Sequence, residues 1–217
     1  MRDRQTWFAA VNRIYILLYV PLSFALAVFY LFTANLTNAV LALLTVLCIA
    51  VPLAMRKLLH VRHSQLLLFL YLLFLSLYYS GELVLRISRR FSLYSILTHV
   101  YSGGFFAIMG VVVFSVLQKE RPKNHNILFC NIFSLSFAVA FNAVLEILNI
   151  LIQTYLFGHV IPIAVVAMNF GVCIAGAVLL CVLYFLSRTH GIHTYVLYAA
   201  EDFAALNIPI TVKFAEK

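Results

Sequence analysis

The chain has 217 residues, 65% of them hydrophobic and only 10% charged, with a formal net charge of +8. A mean hydropathy of +1.03 excludes a water-soluble domain, in which about a quarter of residues are charged. Its apolar runs lack the two-residue alternation of a transmembrane β-barrel, so the fold class is all-α: a polytopic transmembrane helix bundle.

Six runs are long enough to cross a hydrocarbon core of about 30 Å as helices. They fall at residues 14–32, 38–55, 64–85, 94–117, 127–157 and 161–186. The first is longer than a signal-peptide core and lacks a following small-residue cleavage site, so it is expected to remain as a helix. Pro21 and Pro52 lie inside the first and second runs, where proline removes a backbone donor and kinks a helix. Asn35-Leu36-Thr37 fits a glycosylation acceptor, a motif too short to carry a role by itself.

The third run places Glu82 near its end, and the fourth carries His99 and a small-residue face of Gly103, Ala107 and Gly110 suited to close helix approach. The fifth is too long for one upright span, so it tilts or extends into the interface. Along it Asn131, Ser134, Asn142, Glu146, Asn149 and Gln153 recur within about one third of the helix circumference at 100° per residue. A charged group at the centre of a membrane helix costs about 2.5–3.5 kcal/mol on insertion scales. That polar face is therefore expected to look into protein. The sixth run opens at Pro162 and carries Asn169.

Residues 1–187 form the transmembrane domain, and 188–217 a short tail too small for a core of its own. Within the tail Tyr195, Leu197, Tyr198, Phe203 and Leu206 suit a short interfacial helix. Six spans put both termini on one side. A cytoplasmic placement puts twelve of the fifteen Lys and Arg inside, as the positive-inside rule prefers, and makes the tail cytoplasmic. The charge is thus topological, and no nucleic-acid partner is expected.

The exception is Arg86, Arg89 and Arg90 in the outer loop after the third span. Two readings remain open: headgroup anchoring by snorkelling side chains, or an anion-binding rim matched to phosphate or carboxylate. In this topology Glu82, His99, Ser102, Glu146, Asn149 and Asn169 converge in depth on the outer half of the membrane. An intramembrane acid beside a histidine is a usual component of proton relays and substrate paths. Cys48, Cys130, Cys173 and Cys181 read as buried free thiols. His60 with His63 and His190 with His193 lack an acidic third ligand at metal-site spacing, so neither a metal nor a cofactor is expected.

Gly81-Glu82, then Phe91, then His99-Val100-Tyr101-Ser102-Gly103 resembles the YjdF family of small bacterial inner-membrane proteins, in which a Gly-Glu pair precedes an H-x-x-S-G sequence. Glu146 falls where that family has a second intramembrane acid, and Asn169 with Gly176-Ala177 where it has an acid before Gly-Ala. The likeness spans about residues 68–180. Ser95, Asn149 and Asn169 stand where the family carries acids, and Leu145 where it carries Trp, so the chain looks like a divergent member that keeps Glu82, His99 and Glu146. A more distant similarity to VanZ-like membrane proteins points to an envelope-related role. The resemblance implies a multi-pass protein of the bacterial inner membrane.

Three functions fit these residues. The first is an outward-facing intramembrane pocket that binds or moves a proton, a small polar solute or an anionic lipid headgroup. The second is a membrane enzyme on a lipid-linked envelope substrate, with His99 as acid/base and the three arginines on phosphate; it lacks an evident nucleophile. The third is a non-catalytic scaffold whose polar groups lock helix packing. Membrane lipids are partners in each, and a homo-oligomer is compatible with all three.

Overall fold

The computed structural model describes residues 2–59, 62, 64–191, 194 and 198–207. A chain this apolar must satisfy its backbone N–H and C=O groups within itself, and the described residues do so as helices. They are α1 (Arg2–Phe32), α2 (Leu36–Leu59), α3 (Gln65–Phe74), α4 (Ser92–Gln118), α5 (Ile127–Leu151), α6 (Ile163–His190) and a short α7 over 198–207. Helix α3 runs on into a ten-residue π-helix, Leu75–Val84, and α5 into a π-helical turn, Ile152–Leu156.

Among the described residues five helical stretches are long and apolar enough to cross a bilayer: Gln5–Phe32, Gln65–Val84, Ser92–Gln118, Ile127–Leu156 and Ile163–His190. The span expected over 38–55 coincides with a shorter apolar stretch of α2, Leu36–Pro52. Helix ends follow local chemistry. Asn126 caps α5 by accepting the Leu128 and Phe129 N–H groups at 3.0 and 3.4 Å, as an N-cap asparagine does. Gly191, at φ 67°, ends α6 in the left-handed conformation that glycine adopts without a Cβ penalty.

Helix α5 is built inside out relative to a helix in water. Its buried face carries Ser134, Asn142, Glu146 and Asn149, while Ile132, Val144, Ile147 and Leu151 are exposed. Only a hydrocarbon surround makes that distribution favourable. The partner of this face is α4, which packs against both α5 and α6. Close approach depends on glycine. A methyl group at Gly103 would collide with the Cys173 carbonyl of α6, one at Gly176 with the Val100 carbonyl, and one at Gly110 would lie 2.6 Å from Ser134 Cα of α5.

Hydroxyls brace the π-helix. Tyr15 and Tyr19 of α1 hydrogen-bond Ser76 and Ser80, and the Tyr94 hydroxyl donates to the Leu77 carbonyl at 2.7 Å. That hydroxyl sits where a side chain on Gly81 would have to go, which explains the glycine before Glu82. At the opposite end of the bundle α7 is docked. The Arg62 N–H donates to Asn207 Oδ1 and Asn207 Nδ2 donates to the Arg62 carbonyl, both at 2.8 Å, and the Lys123 N–H donates to Glu201 Oε1 at 2.9 Å. Phe203 is buried and Tyr198 and Leu206 are partly so, whereas Tyr195 and Leu197 lie outside the described residues.

These packing arguments carry a test. Gly103→Val should destabilise the protein by about 1–3 kcal/mol or more through overpacking, read as a lower melting temperature in detergent. Gly171→Ala, with nothing within 4 Å of the new Cβ, should be neutral or stabilising by up to about 1 kcal/mol. Equal melting temperatures for the two variants would contradict the glycine-dependent packing of α4.

Candidate functional site

The polar face of α5 meets α4 in a hydrogen-bonded cluster. His99 Nε2 lies 3.0 Å from Glu146 Oε1, with the two side chains only 1% and 5% exposed. The other ring nitrogen, Nδ1, lies 2.6 Å from the Ser95 carbonyl one turn earlier and 3.3 Å from the Ser95 hydroxyl. A carbonyl only accepts, so Nδ1 carries a proton. Two lone pairs facing each other across 3.0 Å would repel, so a second proton lies between Nε2 and Oε1. The pair is then either imidazolium with carboxylate or imidazole with carboxylic acid. Both forms are neutral in sum, which is what a low-dielectric site tolerates.

One turn along each helix a second contact continues the seam. The Ser102 hydroxyl donates to Asn142 Oδ1 at 2.6 Å, and Asn142 Nδ2 donates to the Ala138 carbonyl at 2.8 Å. The ring of Tyr78, from the π-helix, stands edge-on to His99 with centroids 5.8 Å apart. The cluster is incompletely satisfied. Glu146 Oε2, Glu82 Oε2 and the Tyr78 hydroxyl are buried with no hydrogen-bond partner among the described residues.

Glu82 is partly buried on the π-helix, near Ser88 and with both His99 and Glu146 within electrostatic reach. Of the six candidate residues the structure therefore joins His99 directly to Glu146, sets Ser102 on the same seam, and brings Glu82 alongside. Asn149 and Asn169 are buried, but no hydrogen bond ties them to the pair. Of the three arginines, two have described side chains. The Arg86 guanidinium lies 3.3 Å from the centroid of the Phe157 ring, a cation–π contact, and Arg90 is exposed. The side chain of Arg89 lies outside the described residues, as do His60, His63 and His193. Among the described cavities, of about 600, 380 and 270 Å³, none is lined by His99 or Glu146.

A family model described as "Predicted membrane protein (DUF2238)" matches residues 13–161, more than half of the chain. The chain belongs to this family. The matched region takes in Glu82, His99, Ser102, Glu146 and Asn149 and stops short of α6 and Asn169. Membership and the apolar helices together make the chain a multi-pass membrane protein. No curated protein and no solved structure matches it.

Three participants in this cluster escape a reading of the sequence for acids and histidines. Asn142 was visible on the polar face, one turn before Glu146, but only the structure shows it accepting from Ser102. Ser95 acts through its backbone carbonyl, a contact that an i, i+4 spacing permits for any residue type. Tyr78 reaches His99 from a π-helix, whose shifted register leaves no periodic signal.

The pair should behave as an energetic unit. His99→Leu and Glu146→Leu should each cost about 1–3 kcal/mol by stranding the partner. The double variant should be less destabilised than the sum of the two by about 0.5–3 kcal/mol, in unfolding measured in detergent micelles. Strict additivity would mean that the two side chains do not interact.

Proposed function

We propose that this chain is a six-span protein of the bacterial inner membrane, with both termini cytoplasmic, whose buried His99–Glu146 site binds or moves a proton. Glu82 connects that site to the outer side. The observation that carries the reading is the 3.0 Å contact between Nε2 and Oε1, with Nδ1 turned to the Ser95 carbonyl, beside an unpartnered second carboxylate oxygen. Changing the proton count of the pair by one leaves a net charge in a low-dielectric interior, so exchange has to be matched by a second charge or ligand. Glu82, within electrostatic reach and nearer the chain's outer loop, is the group placed to do that. A small polar solute or a lipid headgroup is the alternative ligand for the same oxygens.

Supporting the orientation, twelve of fifteen Lys and Arg fall on the inner side in this topology, as the positive-inside rule prefers. Residues 1–187 then form the transmembrane domain and 188–217 a cytoplasmic tail. The finer assignment to the YjdF group, with its more distant VanZ-like kinship, rests on Gly81-Glu82, the His99–Gly103 motif and Glu146. A second reading, a packing lock without traffic, is favoured by one observation: none of the described cavities reaches the pair.

Glu146→Gln separates the two. It keeps the shape and hydrogen-bonding capacity of the side chain while removing ionisation, so a packing lock should tolerate it. In liposomes holding a pH-sensitive dye, the unsubstituted protein should carry protons under an imposed potential, and Glu146→Gln should reduce that flux at least about tenfold, since a relay residue works through its proton transfer, with little change in melting temperature. Wild-type flux no higher than in protein-free liposomes, or a Gln variant equal to wild type, would overturn the proton-handling reading.

A further inference from the structure

An apolar recess in the described bundle has neither His99 nor Glu146 in its lining. It has a volume of about 380 Å³ and is walled by α2, α3, α4 and α5, with Phe203 of α7 beside it. Along α4 it extends from Phe105 to Leu117, which is about 18 Å at 1.5 Å of rise per residue. Helix α4 is apolar enough to span a bilayer and ends at Gln118, so the groove runs from one interface to mid-membrane. That length matches one leaflet, about half of a 30 Å hydrocarbon core.

Chemistry and shape narrow the occupant. The lining side chains are apolar apart from Tyr71, whose hydroxyl is spent on the Cys48 carbonyl at 2.7 Å. The groove therefore offers water no hydrogen-bond partner, and water needs two to four. Its walls are preset: Phe106 stacks on Phe141 and Phe141 on Phe137, with centroids 5.4 and 4.4 Å apart, so the recess does not close by side-chain collapse. The recess, about 380 Å³ spread over that length, is long and narrow, the shape of an extended hydrocarbon chain.

We propose that this groove holds one acyl chain of a phospholipid from the leaflet on the side of the α4–α5 loop. Lys57 and Lys119 stand beyond Pro52 and Leu117 at its mouth, both exposed, where a lipid phosphate would meet them. The inner end of the groove is separated from the polar site by a column of rings. Phe105 stacks on Phe74 at 5.0 Å, Phe74 stacks on Tyr78 at 5.5 Å, and Tyr78 meets His99 at 5.8 Å. The inference does not depend on what the His99–Glu146 pair does.

The test is native mass spectrometry of the full chain released from phosphatidylcholine nanodiscs. One phospholipid per chain should survive the activation that strips the rest. Met109→Trp, which fills the groove, should lower that retained fraction at least tenfold, whereas Val182→Trp on the exposed face of α6 should leave it unchanged. No retained lipid on the unsubstituted chain, equal retention in both variants, or a lipid-free dimer would overturn the proposal. Should Met109→Trp fail to fold, a phosphatidylcholine with a diazirine near the end of its acyl chain decides the matter on the unsubstituted protein. Its crosslinks should concentrate on residues 105–117 and on Phe137 and Phe141. Labelling spread evenly onto Leu17 and Leu18, on the exposed face of α1, would contradict a bound chain.

Discussion

The shared proton between His99 and Glu146 is the interaction on which the arrangement of this bundle turns. A lone buried carboxylate or imidazolium would cost several kcal/mol, whereas the pair is neutral in sum and hydrogen-bonded at 3.0 Å. Bringing the two side chains that close requires α4 and α5 to approach with little between them, and Gly110 against Ser134 Cα meets that need. Gly103 and Gly176 do the same between α4 and α6. The Ser95 carbonyl then fixes which nitrogen of His99 faces Glu146. Packing, tautomer and charge balance thus constrain one another.

The π-helix from Leu75 to Val84 is the second device. In an uninterrupted α-helix the register of residues 75–84 would differ, and Tyr78 and Glu82 would face elsewhere. The wider backbone is held by hydroxyls from α1 and α4, through Tyr15, Tyr19 and Tyr94. Such segments concentrate at functional sites, and here the segment carries the acid nearest the pair. Tyr78 also links two parts of the molecule through its ring. One side of the aromatic column borders the acid–imidazole cluster, and the other ends at Phe105 in the apolar groove.

Much of this was legible in the residues. The polar positions of α5 lie on one helical face by spacing alone, and the cost of polar groups in hydrocarbon says that this face is the buried one. Depth followed from the alternation of spans, which is why Glu82, His99 and Glu146 could be grouped before any coordinates. Depth does not fix rotation about a helix axis, and Asn149 and Asn169 are buried without a hydrogen bond to the pair. Of the arginines, Arg86 meets the Phe157 ring, a pairing that the spacing of the loop does not signal. The apolar groove had no sequence signal at all, because its lining is chemically the same as any lipid-facing or core position.

Nitrogen-15 NMR of histidine-labelled protein in lipid bilayers, with the His99 signals assigned by their loss in His99→Asn, addresses the central claim directly. Nδ1 of His99 should be protonated, held by the Ser95 carbonyl, and the Nε2 resonance should be that of a hydrogen-bonded nitrogen and shift in Glu146→Gln. A His99 protonated only on Nε2, or an Nε2 resonance unmoved by Glu146→Gln, would contradict it.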